Sequence, residues 1–467
     1  MMDKGLNAPV AHEHTAESSI MPQQELMARP CQVEDTGLSV DLLLELTVKH
    51  LYTNGVQTHA DLTNALALPG NIVDKLIAQL KRRATIEVFT TIDGNALRYA
   101  LTDKGRIAAL EAVSRSGYSG PAPITLAHFE RLCEAQSVHH HEITEAIMNE
   151  AFADTVIPRD LLDQLGSAMH SARPIFVYGL PGTGKSYITQ RLSRLLGKTI
   201  YVPYAVAVDG EILQLFDPAY HHAVEQNDGK NNDDILITGQ GHDARLVLCE
   251  RPFVMSGGEL TMDGLEINSD ERSLVQSAPL QLKASNGIYL IDDLGRQRMA
   301  VTELFNRWIV PMEARVDYLT LASGKRFRVP FDVILIFSTN LEPRELADDA
   351  FLRRIGHKIE FKPMPERQYR ALWADAARQH GLTLMPAALD YLIKELHEKY
   401  STPLLPSHPR DLSGLVRDQI RYHGEDPVVT AEHVRHAWEN FFVSPERASP
   451  EVRVAQVKGT AFHQPEA

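Results

Sequence analysis

The stretch that decides the fold of this chain is PIFVYGLPGTGKSYITQRLSRLLG, residues 174–197. Its apolar start, Pro174–Tyr178, predicts a buried strand, and the spacing of apolar residues after Lys185 predicts a helix that ends at Gly197. The segment between them, Gly179–Ser186, follows the pattern GxxxxGK[ST]. Glycines in this pattern allow successive backbone N–H groups to turn inward and surround phosphate oxygens. The sequence therefore predicts a phosphate-binding loop between a strand and a helix.

This loop predicts the residues that bind ATP and Mg²⁺. We expect Lys185 to neutralise the β- and γ-phosphates and the Ser186 hydroxyl to ligate magnesium, as the pattern requires. The complete set of residues expected at the phosphates is Gly179, Pro181, Gly182, Thr183, Gly184, Lys185 and Ser186.

A second apolar stretch supplies the carboxylates that such a site needs. Residues 287–293 read GIYLIDD, an apolar strand that ends in Asp292 and Asp293. We expect Asp292 to hold magnesium, directly or through water, and Asp293 to polarise the attacking water. The alternative is a strand that ends in an ordinary polar turn.

A third strand, Val333–Phe337, follows a hairpin through Ser323 and Gly324 and is followed by Asn340. Ligands in open parallel sheets bind beyond the carboxyl ends of the strands, so Asn340 is expected at the same site. The segment DDAFLRR comes shortly afterwards and ends in Arg353 and Arg354.

The order of these motifs resembles that of the AAA+ ATPases. The resemblance implies an α/β fold: a P-loop core with a parallel sheet between helices, followed by a C-terminal helical lid. It also implies that Asn340 is sensor 1, which places the attacking water. Either Arg353 or Arg354 matches the arginine finger that reaches the neighbouring subunit, and the sequence does not choose between them. Arg410, in SHPRDLSGLV, matches the sensor 2 arginine, although this segment is also typical of a capped helix start.

Two departures from the family pattern refine the prediction. The family usually has Asp-Glu where this chain has Asp292-Asp293, and the shorter side chain is expected to slow hydrolysis or to require repositioning. The long segment between Lys185 and Asp292, with the hairpin before Asn340, resembles the branch that contains MoxR-type ATPases, magnesium chelatase subunits and enhancer-binding activators. The chain also resembles a group of poorly characterised bacterial AAA+ ATPases.

Residues 37–117 predict a separate small domain with the order helix, helix-turn-helix, hairpin, helix. The stretch RYALTDKGRIAAL resembles the segment of winged-helix domains that joins the wing to the last helix. The third helix ends in Lys81-Arg82-Arg83, which could contact phosphates. Basic and acidic residues nearly balance in this domain, so docking to a protein is a comparable alternative to DNA binding.

The remaining boundaries follow from composition and apolar spacing, and four helices are expected after residue 364. The predicted organisation is a disordered leader 1–36, a winged-helix-like domain 37–117, linker helices 118–154, an AAA+ core 155–363, a helical lid 364–445 and a flexible tail 446–467.

Composition excludes several classes of protein. The chain has 467 residues, 44% hydrophobic and 23% charged, which is typical of globular proteins rather than of collagens or wholly disordered chains. Its net charge of −14 disfavours non-specific coating of nucleic acid. The three cysteines form no CxxC pair, and we see no export signal or membrane-spanning run. We therefore expect a cytoplasmic protein that does not enter a membrane.

The sequence leads to one main functional hypothesis and two alternatives. The main hypothesis is a Mg²⁺-dependent, chaperone-like ATPase that forms a homo-oligomer, expected to be a hexameric ring, and remodels an unidentified protein or protein complex. The first alternative is a DNA-linked regulator or loader that uses the winged helix. The second is a nucleotide switch that hydrolyses ATP slowly, because of Asp293.

Overall fold

The computed structural model describes residues 26–90, 97–197, 199–224, 241–270 and 272–442. The described residues form two compact units: those within 26–136, 203–213 and 241–247 belong to the first, and the other described residues belong to the second. Most of the predicted leader and the predicted tail 446–467 lie outside the described residues, as do residues 91–96, where the sequence Asp93-Gly94 predicts the turn of the hairpin.

The first unit contains helices and short strands. A 3₁₀ turn, Glu34–Thr36, comes before the helices, within the range predicted as a disordered leader. The helices are Val40–Asn54, His59–Leu66, Gly70–Arg82, Asp103–Arg115 and Leu126–Ala135. The strands are Gln57–Thr58, Ile86–Thr90, Leu97–Leu101, Ile124–Thr125 and Ala205–Val208, with Glu211–Gln214 at the boundary of the unit.

Local sequence explains why these helices begin where they do. The Thr58 hydroxyl accepts a hydrogen bond from the backbone N–H of Asp61, and the Asp61 carboxylate accepts one from the backbone N–H of Thr58. This reciprocal cap satisfies N–H groups that have no partner inside the helix. Thr102 caps the helix Asp103–Arg115 through the backbone N–H of Gly105.

A buried ion pair joins separate segments of the first unit. The guanidinium of Arg245 binds the carboxylate of Asp243 at 2.7 Å, and both side chains are almost completely buried. Arg245 also donates to the carbonyl oxygens of Thr36 and Pro123, at 3.5 Å and 3.1 Å. These bonds fix residues 243–245, which lie far along the chain, to the N-terminal segments.

The second unit is built on a five-stranded sheet in which every neighbouring pair is parallel. The strands, in spatial order, are Phe253–Ser256, Ile288–Ile291, Ile334–Thr339, Ile175–Tyr178 and His357–Glu360. Apart from the edge strand His357–Glu360, which is mostly polar, the strands are mostly apolar, as expected for strands covered on both faces. Side chains of alternate residues enter two separate cores, one on each face of the sheet. The predicted α/β fold, with a parallel sheet between helices, is confirmed.

Helices cover both faces of this sheet. The helices of the sheet region are Glu145–Ala151, Arg159–Ser171, Lys185–Arg191, Leu280–Lys283, Val301–Ala314, Pro343–Leu346 and Asp349–Leu352. The shorter 3₁₀ turns are Val138–His140, Leu192–Leu195 and Met262–Leu265. The further strands of the second unit are Asn268–Ser269, Gln276–Ser277, Val316–Thr320 and Arg326–Pro330. The strands Thr199–Pro203 and Leu246–Glu250 each include a point where the chain passes from one unit to the other.

A group of C-terminal helices, which we call the lid, follows the last strand of the sheet. Its helical segments are Glu366–Gln379, Pro386–Tyr391, Leu392–Glu398, Ser407–His423 and Ala431–Phe441. The short strands Thr383–Leu384 and Val428–Val429 pair beside them. The lid has its own core around Tyr369, Trp373 and Trp438. Among the described helices, none combines the length and apolar character that crossing a bilayer requires.

We expect Arg245→Ala to destabilise the first unit by about 3–5 kcal/mol, because it leaves the Asp243 carboxylate buried without a counter-charge. Thermal unfolding measures this loss. Arg106→Ala is the control, since that side chain is exposed and its nearest carboxylate, Asp103, is 4.0 Å away. The double change Arg245→Met and Asp243→Leu should recover most of the stability. Equal melting temperatures for Arg245→Ala and Arg106→Ala would contradict the role of the pair.

Candidate functional site

The predicted phosphate-binding loop has the backbone geometry that its glycines allow. Gly179, Gly182 and Gly184 have φ angles of 137°, 83° and 86°, which residues other than glycine rarely adopt. The loop also passes close to other segments. A Cβ on Gly179 would lie 2.3 Å from the carbonyl oxygen of Phe361, and one on Gly182 would lie 2.5 Å from the hydroxyl oxygen of Ser407. At Gly179 glycine is therefore required by space as well as by conformation, whereas at Gly182 a Cβ would force the Ser407 side chain to move.

Lys185 begins the helix that follows the loop, and its buried side chain reaches back into the loop. Its Nζ donates to the carbonyl oxygens of Gly179 at 2.8 Å and Leu180 at 3.0 Å, and to Oδ1 of Asn340 at 2.8 Å. Burial lowers the pKa of the ammonium, and the neighbouring carboxylates of the second strand oppose this shift. The three hydrogen bonds thus hold the ammonium group of Lys185 at the carboxyl end of the sheet.

Ser186 and Asp292 lie side by side, as the sequence predicts for a shared magnesium ion. The Ser186 hydroxyl donates to Oδ2 of Asp292 at 2.5 Å. Oδ1 of Asp292 accepts from the backbone N–H of Asp293 at 3.0 Å. Hydroxyl and carboxylate oxygens are hard donors of the type that Mg²⁺ prefers, so the residues present fit the ion.

Asp293 has an unusual backbone conformation, with φ at 49°. Aspartate reaches this left-handed region more readily than residues with longer side chains, because its short polar side chain bonds locally. This conformation gives a physical reason for a short carboxylate at this position. Oδ1 of Asp293 accepts from Nδ2 of Asn340 at 3.2 Å. Asn340 therefore bridges Lys185 and Asp293.

Gln297 and Arg296 are site residues that sequence reasoning missed. The side-chain amide of Gln297 donates to the carbonyl oxygens of Asp292 and Asp293, at 3.1 Å and 3.2 Å, and so holds the turn after the second strand. Arg296 lines the cavity described below, and its backbone N–H donates to the carbonyl oxygen of Asp293 at 3.0 Å. The polar run that follows the two aspartates is the one signal that could have indicated them.

A cavity of about 1040 Å³ lies between the sheet edge and the lid, and its lining includes Lys185, Ser186, Asp292, Asp293, Arg296 and Asn340. This volume is at the upper end of the range for small-molecule sites. Polar groups of the loop and of the strand ends form one part of the lining. The apolar part of the lining includes Val156, Ile157, Pro158, Leu161, Met364, Pro365 and Leu372. No motif marks these apolar residues, so the sequence did not indicate them.

Arg410 lines the cavity from the lid. It lies in the first turn of the helix Ser407–His423, and its side chain is 77% exposed. Its Nε donates to Oδ1 of the adjacent Asp411 at 3.1 Å. The backbone N–H of Ser407 donates to the carbonyl oxygen of Gly182 at 3.2 Å, which joins the start of this helix to the phosphate-binding loop.

Arg353 and Arg354 do not line the cavity. The Arg354 guanidinium is bound to the carboxylate of Glu313 and donates to the carbonyl oxygen of Ala350 at 2.7 Å. Arg353 is exposed, and its Nε donates to the carbonyl oxygen of Asp349 at 3.2 Å. The two arginines thus differ in their contacts, although they are adjacent in the sequence.

Comparison with protein families identifies one matching region. A model described as a domain of unknown function (DUF8689) matches residues 365–440, the range of the lid helices. No protein of curated function matches the chain.

Solved structures give similarities at low sequence identity. RuvB from Thermotoga maritima, titled a Holliday junction branch migration motor, is 14% identical, with 66% of this chain and 78% of that chain covered and a TM-score of 0.36. NtrX from Brucella abortus is 12% identical, with 83% of this chain and 65% of that chain covered and a TM-score of 0.39. Neither likeness carries an inference about activity.

We expect Gly182→Ala to weaken nucleotide binding at least tenfold, because the new Cβ would displace Ser407 or the loop itself. The affinity for a fluorescent ADP analogue measures this effect. Gly424→Ala is the matched control: its φ is 67°, and a Cβ there meets no atom within 4 Å. That change should cost about 1–2 kcal/mol of stability and leave the affinity unaltered. Equal affinities for Gly182→Ala and wild type would contradict the close approach of loop and lid.

Proposed function

We propose that this protein is a Mg²⁺-dependent ATPase that couples the binding and hydrolysis of ATP to the remodelling of a protein or protein complex. One observation carries the proposal: Lys185, Ser186, Asp292, Asp293 and Asn340 converge on one cavity at the carboxyl edge of a parallel sheet. These residue types in this arrangement suit phosphoryl transfer, where catalysis is mostly positioning and stabilisation of charge.

The phosphate-binding loop would hold the β- and γ-phosphates. Lys185 would exchange its bonds to carbonyl oxygens for bonds to phosphate oxygens, and the positive φ angles at Gly182 and Gly184 allow backbone N–H groups to turn inward. The apolar residues of the cavity, Ile157 and Met364 among them, would pack against the base.

Ser186 and Asp292 would hold the magnesium ion, since the hydroxyl of one already lies beside the carboxylate of the other. When bound, Mg²⁺ neutralises charge on the phosphates and helps to orient them. Asp292 is in turn positioned by the backbone N–H of Asp293 and by Gln297.

Asp293 and Asn340 would act on the attacking water. The Asp293 carboxylate would accept a hydrogen bond from the water and then its proton, while Asn340 holds that carboxylate in position. Because Asp293 is shorter than glutamate, the water must lie closer to the second strand. This requirement supports slow turnover.

We expect Asp293→Asn to lower the rate of ATP hydrolysis about 100-fold or more, because asparagine keeps the size of the side chain but cannot accept the proton. ATP affinity should change only a few-fold. Steady-state hydrolysis and equilibrium binding of ATP measure the two effects separately. Asp263→Asn, an exposed change away from the cavity, is the control. An unchanged rate in Asp293→Asn would contradict the role of Asp293.

Arg353 is the better candidate for an arginine finger that acts on a neighbouring subunit. Its guanidinium is exposed, whereas that of Arg354 is bound to Glu313 and Ala350. An arginine that acts in trans must lie outside its own subunit's cavity, as Arg353 does. We therefore propose a homo-oligomer, with a hexameric ring as the expected form, and a structural role for Arg354.

We expect Arg353→Ala to lower hydrolysis about 1000-fold at concentrations where the wild type assembles, and Arg354→Ala to retain much more activity. Mixing Arg353→Ala chains with Lys185→Met chains should restore part of the activity. In a mixed assembly, an intact Lys185 site can meet an intact Arg353. Hydrolysis assays across protein concentration and mixing ratio test this. The finger assignment fails if no mixing ratio restores activity.

Arg410 would connect the state of the nucleotide to the lid. It enters the cavity from the helix that begins beside Gly182, so a bond between Arg410 and a phosphate would draw lid and loop together. Loss of the γ-phosphate would remove that bond. We propose that the loss of this bond after hydrolysis allows the lid to move.

The contacts of the first unit favour a protein partner over DNA. Of the three cations at the end of the third helix, Arg83 forms an ion pair with Asp41 at 2.8 Å, and Lys81 lies over the ring of Tyr99. Arg82 is the third of these cations, and such a contact is found for it nowhere among the described residues. We propose that residues 37–117 are a winged-helix-like module for docking to a protein, and we place the protein in the cytoplasm.

We expect the triple change of Lys81, Arg82 and Arg83 to alanine to leave hydrolysis unaltered, both with and without duplex DNA. Hydrolysis and DNA binding are measured at low and at physiological salt, because phosphate contacts weaken as salt rises. DNA stimulation of the wild type that disappears in the triple variant would instead establish the DNA-linked regulator. Tight ATP binding with negligible turnover by an assembled wild type would establish the slow nucleotide switch.

A further inference from the structure

We propose that the hairpin Val316–Thr320 and Arg326–Pro330, which we call the arginine hairpin, binds an extended peptide segment with acidic side chains at alternate positions. The peptide would add to the outer edge of Arg326–Pro330 as a further strand. This inference concerns a surface away from the nucleotide cavity and does not rest on the proposed ATPase function.

The inner face of the arginine hairpin is fixed to the second unit. The Asp317 carboxylate is buried and accepts two hydrogen bonds from the guanidinium of Arg307, at 2.7 Å and 2.9 Å, and one from Gln281 at 3.1 Å. Leu319 and Val329 are buried on the same face. The hairpin is therefore held rigidly and would lose little conformational freedom when a partner binds.

The outer face carries two arginines and a tyrosine. Tyr318 pairs with Arg328, and Thr320 pairs with Arg326, so these four side chains share one face. All four are exposed, and the Arg326 guanidinium lies over the Tyr318 ring at 4.8 Å. Within the described residues, neither arginine forms an ion pair with a carboxylate. On a chain with a net charge of −14, this is an uncompensated basic surface.

The hydrogen bonds of the hairpin show which backbone groups face outward. The backbone N–H of Leu321 donates to the carbonyl oxygen of Lys325, and that of Phe331 donates to Arg315. Antiparallel pairs alternate between bonded and non-bonded, so the backbone groups of Arg326 and Arg328 point away from Val316–Thr320. No third strand joins this sheet in the described part of the chain. The same two residues thus offer an unpaired backbone edge and a cationic side chain.

This combination specifies the chemistry of the partner. A strand that adds to the edge bonds to the outward N–H and C=O groups, and its alternate side chains lie on the face of the arginines. Carboxylates two residues apart would match the guanidinium groups of Arg326 and Arg328, which bind carboxylates in a bidentate way. The arginines also repel the same edge of a second copy, which protects the hairpin from self-association.

A nucleic acid is a poorer match to this surface. It offers phosphates to the arginines, but it has no backbone that can complete the strand edge of Arg326 and Arg328. A long polyanion is also repelled by the rest of this acidic chain. An acidic peptide satisfies both the charges and the backbone edge.

The test is fluorescence anisotropy with a labelled peptide of alternating glutamate and threonine, eight residues long, added to the full chain without nucleotide. We expect saturable binding to the wild type. The double variant R326E/R328E should bind at least tenfold more weakly, whereas R298E, an exposed charge reversal outside the hairpin, should bind within twofold of the wild type. Equal binding by R326E/R328E and wild type, or no binding to the wild type, would overturn the proposal.

A change in the peptide separates strand addition from charge attraction and leaves the protein unaltered. The same peptide with an N-methyl group on every residue keeps its charges but has no backbone N–H group on either edge and cannot pair as a strand, so we expect it to bind at least tenfold more weakly. Equal binding of the two peptides would overturn strand addition. A single-stranded oligothymidine that binds more tightly than the peptide, and depends on Arg326 and Arg328, would overturn the choice of partner. The comparison of peptides remains decisive even if R326E/R328E fails to fold.

Discussion

The ammonium group of Lys185 joins the two sides of the candidate site. It is buried among the carbonyl oxygens of its own loop and the Asn340 side chain, at distances of 2.8–3.0 Å. Asn340 in turn binds Asp293, and Asp292 binds Ser186. A buried cation must be compensated, so the loop, the second strand and the third strand are held in one arrangement. The polar groups that would meet a nucleotide are therefore in place before it binds.

The lid depends on the same loop. Gly182 and Ser407 are in direct contact through a backbone hydrogen bond of 3.2 Å, and the helix that begins at Ser407 brings Arg410 to the cavity. The segment that leads from the sheet to the lid also packs against the loop, at Phe361 and Gly179. A change in the loop on nucleotide binding would thus reach the lid through direct contacts. A change at the phosphates would therefore move the helices of the lid, because packed elements shift as units.

Much of the core of the second unit could be predicted from the sequence, because each functional residue directly follows an apolar strand. Apolar strands that lead to Asp292 and to Asn340 predict both a parallel sheet and the edge at which the polar side chains meet. Other features depend on partners distant in the sequence. Ile157 is an ordinary apolar residue until the fold places it beside the lid, and the difference between Arg353 and Arg354 arises from Glu313. The left-handed conformation of Asp293 and the inclusion of residues 203–213 in the first unit have no local signal.

We propose above all that the cavity around Lys185 binds the phosphates of ATP together with Mg²⁺. Calorimetric titration of ATP into the wild type and into Lys185→Met, each with Mg²⁺ and with EDTA, tests it most directly. We expect one site per chain in the wild type, weaker binding in EDTA, and at least a hundredfold loss of affinity in Lys185→Met. The loss arises because the cation that faces the phosphates is removed. Equal ATP affinity in wild type and Lys185→Met, unaffected by Mg²⁺, would contradict the account.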